Sequence, residues 1–464
     1  MIPEIHQHEF QGLFGVAVGE INPPSGMYSR TWGYSEHDIA DGLHRPLRAS
    51  CLTISCLSEK ANLTLLALDL MVWLSREDEE GIRIPLEKEF NLAPGTLITH
   101  LSHSHGAPFT DPLLADAPGG HFIGDYRKQI LQTCRRLLSE AFDNRRMCVL
   151  SWGVGRCGLA FNRDLTLPET GEAVVGINPS IPADDTLLVG RITEQSGVYF
   201  ANLVHYAAHP TSLGGMNRLI SPDYVGAMRE LVERDTNGVP CIFLHGADGE
   251  LAPRKCYQAS PEAADQNGRE LGYAALSILA SLMPSGKKMV FDRKVESGAT
   301  LGLWKYEDEL PESEIYIVAE TVELELGDLP SVDAFKELVE SKRGYEKERA
   351  QRGLALREKL GNSSTFDFPI YVWKLGKTIM VGAPIEFYNE FQIFLRRQFP
   401  ENLILVLDIC NGFLNYLPRK EEFERETYQV KTALFDPKSE EKVREKVVNL
   451  IKNIKKNSIQ GKYY

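Results

Sequence analysis

Two histidine-containing segments could supply ligands for a metal ion. The first covers residues 102–106 (SHSHG), in which two imidazoles are separated by one residue. Residues two apart on an extended chain face the same side, so His103 and His105 can address one site. The second centres on His209, which ends an apolar run and precedes Pro210. Neutral imidazole is a common zinc ligand, although buried histidines that only form hydrogen bonds would show the same pattern.

A glycine-rich loop, residues 245–254 (HGADGELAPR), follows another apolar run and forms the third candidate segment. Gly246 and Gly249 permit left-handed backbone or the close approach of a ligand. The loop lacks the Lys-Ser/Thr ending of a phosphate-binding loop and contains no G-x-G-x-x-G, which argues against nucleotide binding. Asp248 and Glu250 could each act as a general base, or could instead structure the loop, and the residues alone leave both interpretations open.

The elements that must position these residues are strands alternating with helices. Apolar runs predict buried strands at residues 49–57, 63–70, 198–208 and 240–244. A helix is predicted over residues 125–142. Ser221-Pro222 predicts the start of a helix that runs through Arg234, and Ser260-Pro261 predicts a second helix that runs to about Leu282. A hairpin is predicted over residues 370–384, with its turn near Gly376. This mixture predicts an α/β (mixed α+β) fold in which layered mixed β-sheets are flanked by helices.

Two later segments are predicted to be helical. Residues 331–360 are highly charged and predict a solvated hairpin or an excursion from the main body. Residues 436–456 predict a C-terminal helix with one apolar face. The opposite, lysine-rich face would suit a membrane surface, but a terminal helix that docks on the core explains the same pattern.

Composition excludes several classes of function. The chain has 464 residues, of which 43% are hydrophobic and 25% charged, so a sizeable core is feasible and global disorder is excluded. The 51 basic and 64 acidic residues give a net charge of −13, which argues against nucleic acid and stable membrane association. No secretory signal or membrane-spanning run is recognisable, and the eight cysteines form no C-x-x-C pair. We therefore expect a cytoplasmic protein with reduced thiols, and leave homo-oligomerisation open.

Taken together, these segments resemble the catalytic N-terminal domain of the neutral ceramidase family. The members of that family are zinc-dependent amidases. Residues 102–108 (SHSHGAP) look like the family's T-H-T-H-S-G-P, and residues 207–212 (AAHPTS) look like its A-[IV]-H-P-V-S. The loop at 246–253 (GADGELAP) is similar to G-x-x-G-D-V-S-P. Further similar segments occur in the family's order at 15–24 (GVAVGEINPP), 161–163 (FNR), 382–387 (GAPIEF) and 411–418 (NGFLNYLP), with Tyr428 twelve residues after Tyr416.

The resemblance implies a single zinc-hydrolase-like catalytic domain over residues 1–464 with a defined set of site residues. The implied Zn²⁺ ligands are His103, His209, Glu386 and Tyr416. The implied catalytic residues that line the cleft are His105, Arg163 and Tyr428. In the glycine-rich loop, Gly246, Asp248 and Glu250 are expected to bind substrate. Two histidines, a carboxylate and a phenol do not select strongly for zinc over iron or manganese.

Two departures from the family limit what the resemblance implies. Ala252 stands where the family has the serine of its G-D-V-S-P segment, and Glu250 replaces the aspartate. We also expect no C-terminal immunoglobulin-like domain and no secretory leader, so the chain is interpreted as a short cytoplasmic member. An alanine cannot hydrogen-bond through its side chain, whereas hydrolysis by metal-activated water needs no side-chain nucleophile.

The sequence therefore favours a zinc-dependent hydrolase that cleaves an amide or ester bond of an acylated small molecule other than ceramide. The alternative is a non-catalytic zinc-binding homologue that binds a ligand in the old cleft. A zinc-free α/β protein with incidental histidines would require every segment match to be accidental.

Overall fold

The computed structural model describes residues 3–57, 62–361 and 363–460, so the remaining residues of the predicted 1–464 domain lie outside the described part. In chain order, its strands are β1 (His8–Glu20), β2 (Gly42–Leu43), β3 (Arg48–Ser55), β4 (Asn62–Leu68), β5 (Leu97–Leu101), β6 (Arg146–Arg156), β7 (Ala160–Asn162), β8 (Asp164–Thr166), β9 (Ala173–Val175), β10 (Thr186–Glu194), β11 (Tyr199–Tyr206), β12 (Leu219–Ile220), β13 (Cys241–His245), β14 (Leu251–Pro253), β15 (Lys287–Val295), β16 (Leu301–Asp308), β17 (Ile315–Glu325), β18 (Thr365–Leu375), β19 (Thr378–Gly382), β20 (Glu386–Phe387), β21 (Leu403–Leu407) and β22 (Tyr416–Leu417). Its α-helices are α1 (Arg76–Glu89), α2 (Ile123–Asp143), α3 (Tyr224–Asp235), α4 (Pro261–Ser281), α5 (Val332–Ser341), α6 (Gly344–Leu360), α7 (Asn389–Gln398), α8 (Tyr428–Thr432) and α9 (Ser439–Gln460).

The larger sheet has the strand order β13-β11-β10-β6-β1-β3-β4-β5. Its inner pairs are antiparallel, whereas the outermost pairs, β4–β5 and β11–β13, are parallel. The two edges approach each other, because the His245 main-chain N–H donates a hydrogen bond to Nε2 of His100 over 2.8 Å. Loops that leave β5, β11 and β13 therefore reach the same region of the molecule.

A second sheet, with the order β17-β18-β19-β21, packs against the inner face of the first. Alternation along each strand sends successive side chains to opposite faces, so Leu52 of β3 joins the core between the sheets while Cys51 faces the other way. Trp373 and Leu405 supply the second sheet's side of that shared core. The shared core fixes how the two sheets sit against each other.

Helices cover both outer faces of the stacked sheets. Three helices, α2, α3 and α4, pack on the outer face of the larger sheet, and α7 and α9 pack on the smaller one. Helix α9 buries one apolar face. The residues of that face are Val443, Val447, Leu450, Ile451 and Ile454. The helix–sheet–sheet–helix arrangement confirms the predicted layered α/β fold with mixed sheets.

The two predicted serine caps had different outcomes. Ser260 caps α4, since its side chain accepts a hydrogen bond from the Glu262 main-chain N–H. Helix α3 instead begins at Tyr224 with Asp223 as its cap, so the predicted cap at Ser221 was wrong. The Ser221 hydroxyl accepts the Asp223 main-chain N–H over 2.9 Å and forms a turn just before the helix.

The charged segment predicted at 331–360 forms the helices α5 and α6, which are inserted between the paired strands β17 and β18. Helix α6 is joined to the main body by an ion pair of 2.5 Å between Glu348 and Arg30, and by one of 3.6 Å between Lys359 and Glu77. Of the helices in the described ranges, none combines the length and the apolar character needed to cross a bilayer.

Candidate active site

His103 lies two residues beyond β5 and adopts a left-handed backbone conformation with φ 62°. Such a φ is uncommon for residues other than glycine, and it frequently accompanies a functional constraint. The buried imidazole donates from Nδ1 to the main-chain oxygen of Met71 over 2.8 Å. Because Nδ1 carries the proton, the lone pair of the second nitrogen, Nε2, is free to bind a cation.

His209 lies three residues beyond β11 and is fully buried. Its Nδ1 donates to the main-chain oxygen of Asp248 over 3.0 Å, and Oδ1 of the same residue also lies 3.0 Å away. Nε2 of His209 therefore also presents a lone pair. A hydrogen bond of 3.3 Å from the His105 main-chain N–H to the Pro210 oxygen joins the two histidine loops.

Glu386 and Tyr416 come from the short parallel pair β20–β22, in which they are direct register partners. Oε1 of Glu386 lies 3.5 Å from Nε2 of His103, and Oε2 lies 2.9 Å from Nε2 of His209. The Tyr416 hydroxyl hydrogen-bonds Glu386 and also accepts a hydrogen bond of 3.1 Å from Arg163. The four predicted metal ligands therefore converge onto one buried point, two from loops of the larger sheet and two from the separate pair β20–β22.

The chemistry of these donors fits a zinc ion. Within the described residues, Nε2 of His103, Nε2 of His209 and Oε2 of Glu386 are buried without a hydrogen-bond partner. Four ligands at about 2.0 Å from a tetrahedral zinc are separated from one another by about 3.3 Å. The observed separations of 2.9 and 3.5 Å bracket that value.

Burial sets the protonation preferences of this cluster. It lowers the pKa of His103 and of His209 well below the usual histidine range, so both imidazoles are neutral, as ligands must be. Burial also raises the pKa of Glu386 and of Asp248 well above the usual carboxyl range. A divalent cation would compensate for the cost of ionising these carboxyl groups.

Asp248 supports His209 from behind. Its Oδ2 lies 2.5 Å from Nε2 of His245, and its Oδ1 lies beside Nδ1 of His209, so the carboxyl group spans two imidazoles. Asp248 lies on the opposite side of the His209 ring from Glu386, which is the position of an orienting group. His209, Asp248 and Glu386 nevertheless form one geometrically admissible ligand trio, and His103, His105 and His209 form another.

The three predicted catalytic side chains surround the ligands. His105 stacks against Trp32 with ring centroids 4.9 Å apart, and both of its ring nitrogens are buried without a hydrogen-bond partner among the described residues. Arg163 is buried and donates to the Gly249 main-chain oxygen over 2.7 Å as well as to Tyr416. Tyr428 is 41% exposed at the rim, and its ring lies 6.0 Å from that of Tyr416.

The loop residues predicted to bind substrate lie close to the site but behind it. Gly246, Asp248 and Glu250 are buried and do not line the cavity in front of the histidines. A Cβ at Gly246 would lie 3.1 Å from the Ala207 Cβ, and both carboxylate oxygens of Glu250 lie 3.0 Å from the Asn389 main-chain nitrogen. Ala252 is likewise buried, in β14. The loop is therefore tightly packed behind the histidines, and its role in substrate binding stays a prediction.

Three further residues belong to the site but to none of the predicted segments. Asp408 is buried directly after β21, and its Oδ2 accepts main-chain N–H groups of Phe387 over 3.0 Å and Asp248 over 3.4 Å. Trp32 packs on His105, and Tyr257 approaches Arg163. Of these three residues, only Asp408 has a recognisable sequence signal, because its carboxylate directly follows an apolar strand.

A cavity of about 1300 Å³ opens from the site. His103, His105, Arg163, Glu386 and Tyr416 lie on its wall, and it extends beneath α5 and α6. Much of the lining is apolar. These residues include Val72, Leu74, Phe109, Leu113, Phe335, Leu356, Leu360, Phe366, Phe413, Leu414 and Leu434. A volume of this size exceeds the usual range for a drug-sized ligand.

The fold is shared with solved ceramidase structures. The neutral ceramidase from Pseudomonas aeruginosa superimposes with a TM-score of 0.66 and 16% identity, over 95% of this chain and 73% of that one. A structure of a ceramidase complexed with C2 gives a TM-score of 0.67 and 16% identity, over 95% of this chain and 74% of that one. No protein-family model matches the sequence, and no curated protein matches it. The resemblance to neutral ceramidases is thus confirmed at the level of the fold.

Proposed function

We propose that this protein is a zinc-dependent hydrolase that cleaves an amide or ester bond of an acylated small molecule. The observation that carries the proposal is the convergence of His103, His209 and Glu386. The unpaired Nε2 of His209 lies 2.9 Å from the unpaired Oε2 of Glu386, and the unpaired Nε2 of His103 lies 3.5 Å from Oε1 of the same carboxyl group. His103 and Glu386 line the cavity. Buried polar atoms without a partner call for an explanation, and a bound cation would supply one for this cluster. The ceramidase fold neighbours add support, because enzymes of that name cleave an acyl amide.

The residues that would hold the ion are His103, His209, Glu386 and Tyr416. Zinc supplies Lewis acidity when it is bound, which activates water for attack on a carbonyl carbon. Tyr416 is tied to Arg163 as well as to Glu386, so its hydroxyl is held at a fixed place beside the carboxylate. Asp248 and Met71 fix which nitrogen of each histidine carries the proton.

The remaining side chains would act on the substrate. The Arg163 guanidinium is buried on the cavity wall, where it can stabilise the negative charge that develops on a carbonyl oxygen during attack. His105 has two unpaired ring nitrogens on the same wall and can pass a proton to the departing nitrogen or oxygen atom. Tyr428 lines the cavity and is partly exposed at its entrance, where it would contact the substrate away from the reacting bond.

A second candidate function is a non-catalytic zinc-binding homologue that holds a ligand in the cavity. Ala252 is the observation in its favour, because the family's serine is replaced by a residue that is fully buried in β14. In this alternative the ion would be structural and would leave the protein only on unfolding.

Metal analysis joined to a turnover assay tests the proposal. We expect about one zinc per chain in the purified protein, its loss in His209→Ala and Glu386→Gln, and hydrolysis of a generic acyl ester that chelator abolishes and added zinc restores. Arg163→Ala and the more conservative Arg163→Lys should retain zinc and lose turnover. Zinc that persists in His209→Ala would contradict the ligand assignment. A full complement of zinc without turnover of any acyl ester or amide would favour the non-catalytic homologue.

A further inference from the structure

Helix α6 presents a striped face to the cavity. The residues of α6 that line the cavity recur every three or four positions, as one face of a helix requires. These residues are Arg349, Arg352, Gly353, Ala355, Leu356, Lys359 and Leu360. Toward the C-terminus the stripe carries leucines and Lys359, which pairs with Glu77, whereas toward the N-terminus it carries two arginines.

The arginine end of this stripe meets Lys431, which also lines the cavity. Nη2 of Arg349 lies 3.4 Å from the main-chain oxygen of Lys431, so the two helices α6 and α8 touch there. Lys431 is three residues after Tyr428 and shares its helix face, which separates the two by about 5 Å along the axis. Arg352 lies nearby over the Phe109 ring, with its guanidinium carbon 6.0 Å from the centroid. We call Arg349, Arg352 and Lys431 the cationic wall.

Two members of this wall, Arg349 and Lys431, form no ion pair with a carboxylate of the described residues. Glu79 and Glu80 are bound by Arg83 and Arg76 at 2.6 and 2.5 Å. Across the described ranges 3–57, 62–361 and 363–460, neither Arg349 nor Lys431 has a carboxylate oxygen within 4.0 Å. In a chain of net charge −13, positive charge gathered at one place on the cavity attracts an anionic ligand there.

We propose that the cationic wall binds a carboxylate or phosphate group of the acylated substrate. The proposal rests on the hydrolase function above and narrows its substrate to anionic acyl compounds. Arginine forms paired hydrogen bonds with either group. The position of Lys431 sets the anionic group about one helical turn from Tyr428, on the entrance side of the reacting bond, while the apolar lining holds the hydrocarbon part.

Binding without turnover tests this subsite separately from the hydrolase proposal. Decanoate, decyl phosphate and neutral decanol would be titrated calorimetrically into the purified protein, and again after chelator treatment to prevent ligation of a metal by the carboxylate. We expect at least one anionic probe to bind about tenfold more tightly than decanol, with a preference that declines with salt. Comparison of decanoate with decyl phosphate identifies which anion the wall prefers.

The variant for this test is the double substitution Arg349→Gln/Lys431→Gln, both sites being exposed. It should lose the anionic preference while decanol binds within about twofold of the wild-type protein. Arg156→Gln/Lys128→Gln removes two exposed charges outside the cavity and should change nothing. Equal affinity of the wild-type protein for all three probes would overturn the proposal. A preference that survives both the double substitution and the further exchange Arg352→Gln would place the anion outside the wall and would overturn the proposal as well. If the protein prefers anionic probes but hydrolyses no ester or amide, the anion-binding proposal would be supported and the hydrolase proposal would be contradicted.

Discussion

Replacing Asp248 by asparagine tests how the site holds His209. The substitution keeps the size of the side chain and the main-chain oxygen that accepts the His209 Nδ1–H over 3.0 Å. It removes the carboxyl group that lies 3.0 Å from the same nitrogen and 2.5 Å from Nε2 of His245. One of two acceptors therefore remains, and the proton stays on Nδ1.

Loss of such an outer partner typically weakens metal binding by about 10- to 100-fold. Because the main-chain acceptor is retained, we expect Asp248→Asn to weaken zinc binding by the lower end of this range, about tenfold or about 1.4 kcal/mol. A competition titration with a chromophoric zinc chelator would measure it. Glu250→Gln is the matched control, since it removes a buried carboxylate from the same loop that contacts Asn389 instead of a histidine. Its zinc affinity should stay within about twofold of the wild-type value.

The size of the effect separates two roles for Asp248. If this residue were a direct ligand, as the trio of His209, Asp248 and Glu386 would allow, its removal would cost far more than 100-fold. If Asp248→Asn binds zinc as tightly as the wild-type protein, the carboxyl group does not orient His209. Either result would refute the reasoning from the geometry.

Two further predictions concern stability. A Cβ at Gly15 would lie 1.7 Å from the Ala141 main-chain oxygen. Gly15→Ala should therefore lower the free energy of unfolding, measured by chemical denaturation, by at least about 2 kcal/mol. The control Gly124→Ala places a Cβ in open space on α2 and should raise the free energy of unfolding by about 0.5–1 kcal/mol. Burial raises the pKa of Asp78 from 3.8 to about 7. The native state therefore binds this proton more tightly than the unfolded chain does. As a result, the free energy of unfolding should fall as the pH rises from about 4 to 7. Asp78→Asn should remove that component, on the order of 4 kcal/mol at most, and parallel pH profiles of the two proteins would contradict it.

The sequence anticipated those parts of the site that follow directly from strand ends. His103 and His209 each stand just beyond a buried strand, and the structure brings both to Glu386. Only the family resemblance predicted that Glu386 and Tyr416 lie together, because the strands that align them are two residues long and carry no periodic pattern. Physical contact there depends on how the two sheets dock, which no local pattern encodes.

Other features escaped prediction because a competing side chain or the path of the chain decides them. Ser221 has the residue type of a helix cap, but the Asp223 side chain competes for the same role and accepts the Tyr224 main-chain N–H over 2.7 Å. Residues 331–360 look solvated from their charge, yet α6 turns one face toward the cavity. Only the path of the chain between β17 and β18 places that face over the site.

That path makes α5 and α6 an exchangeable part of the protein. Strands β17 and β18 pair over their full length, from Ile315 opposite Leu375 to Glu325 opposite Thr365, without help from the segment that connects them. A connection between antiparallel neighbours can change in length at little cost, and a short turn could close the same pair. In the proposed hydrolase, replacement of this one surface insertion could therefore change the substrate preference while the proposed metal ligands, which lie on other elements, keep their places. Grafting the corresponding segment from a relative would test this directly.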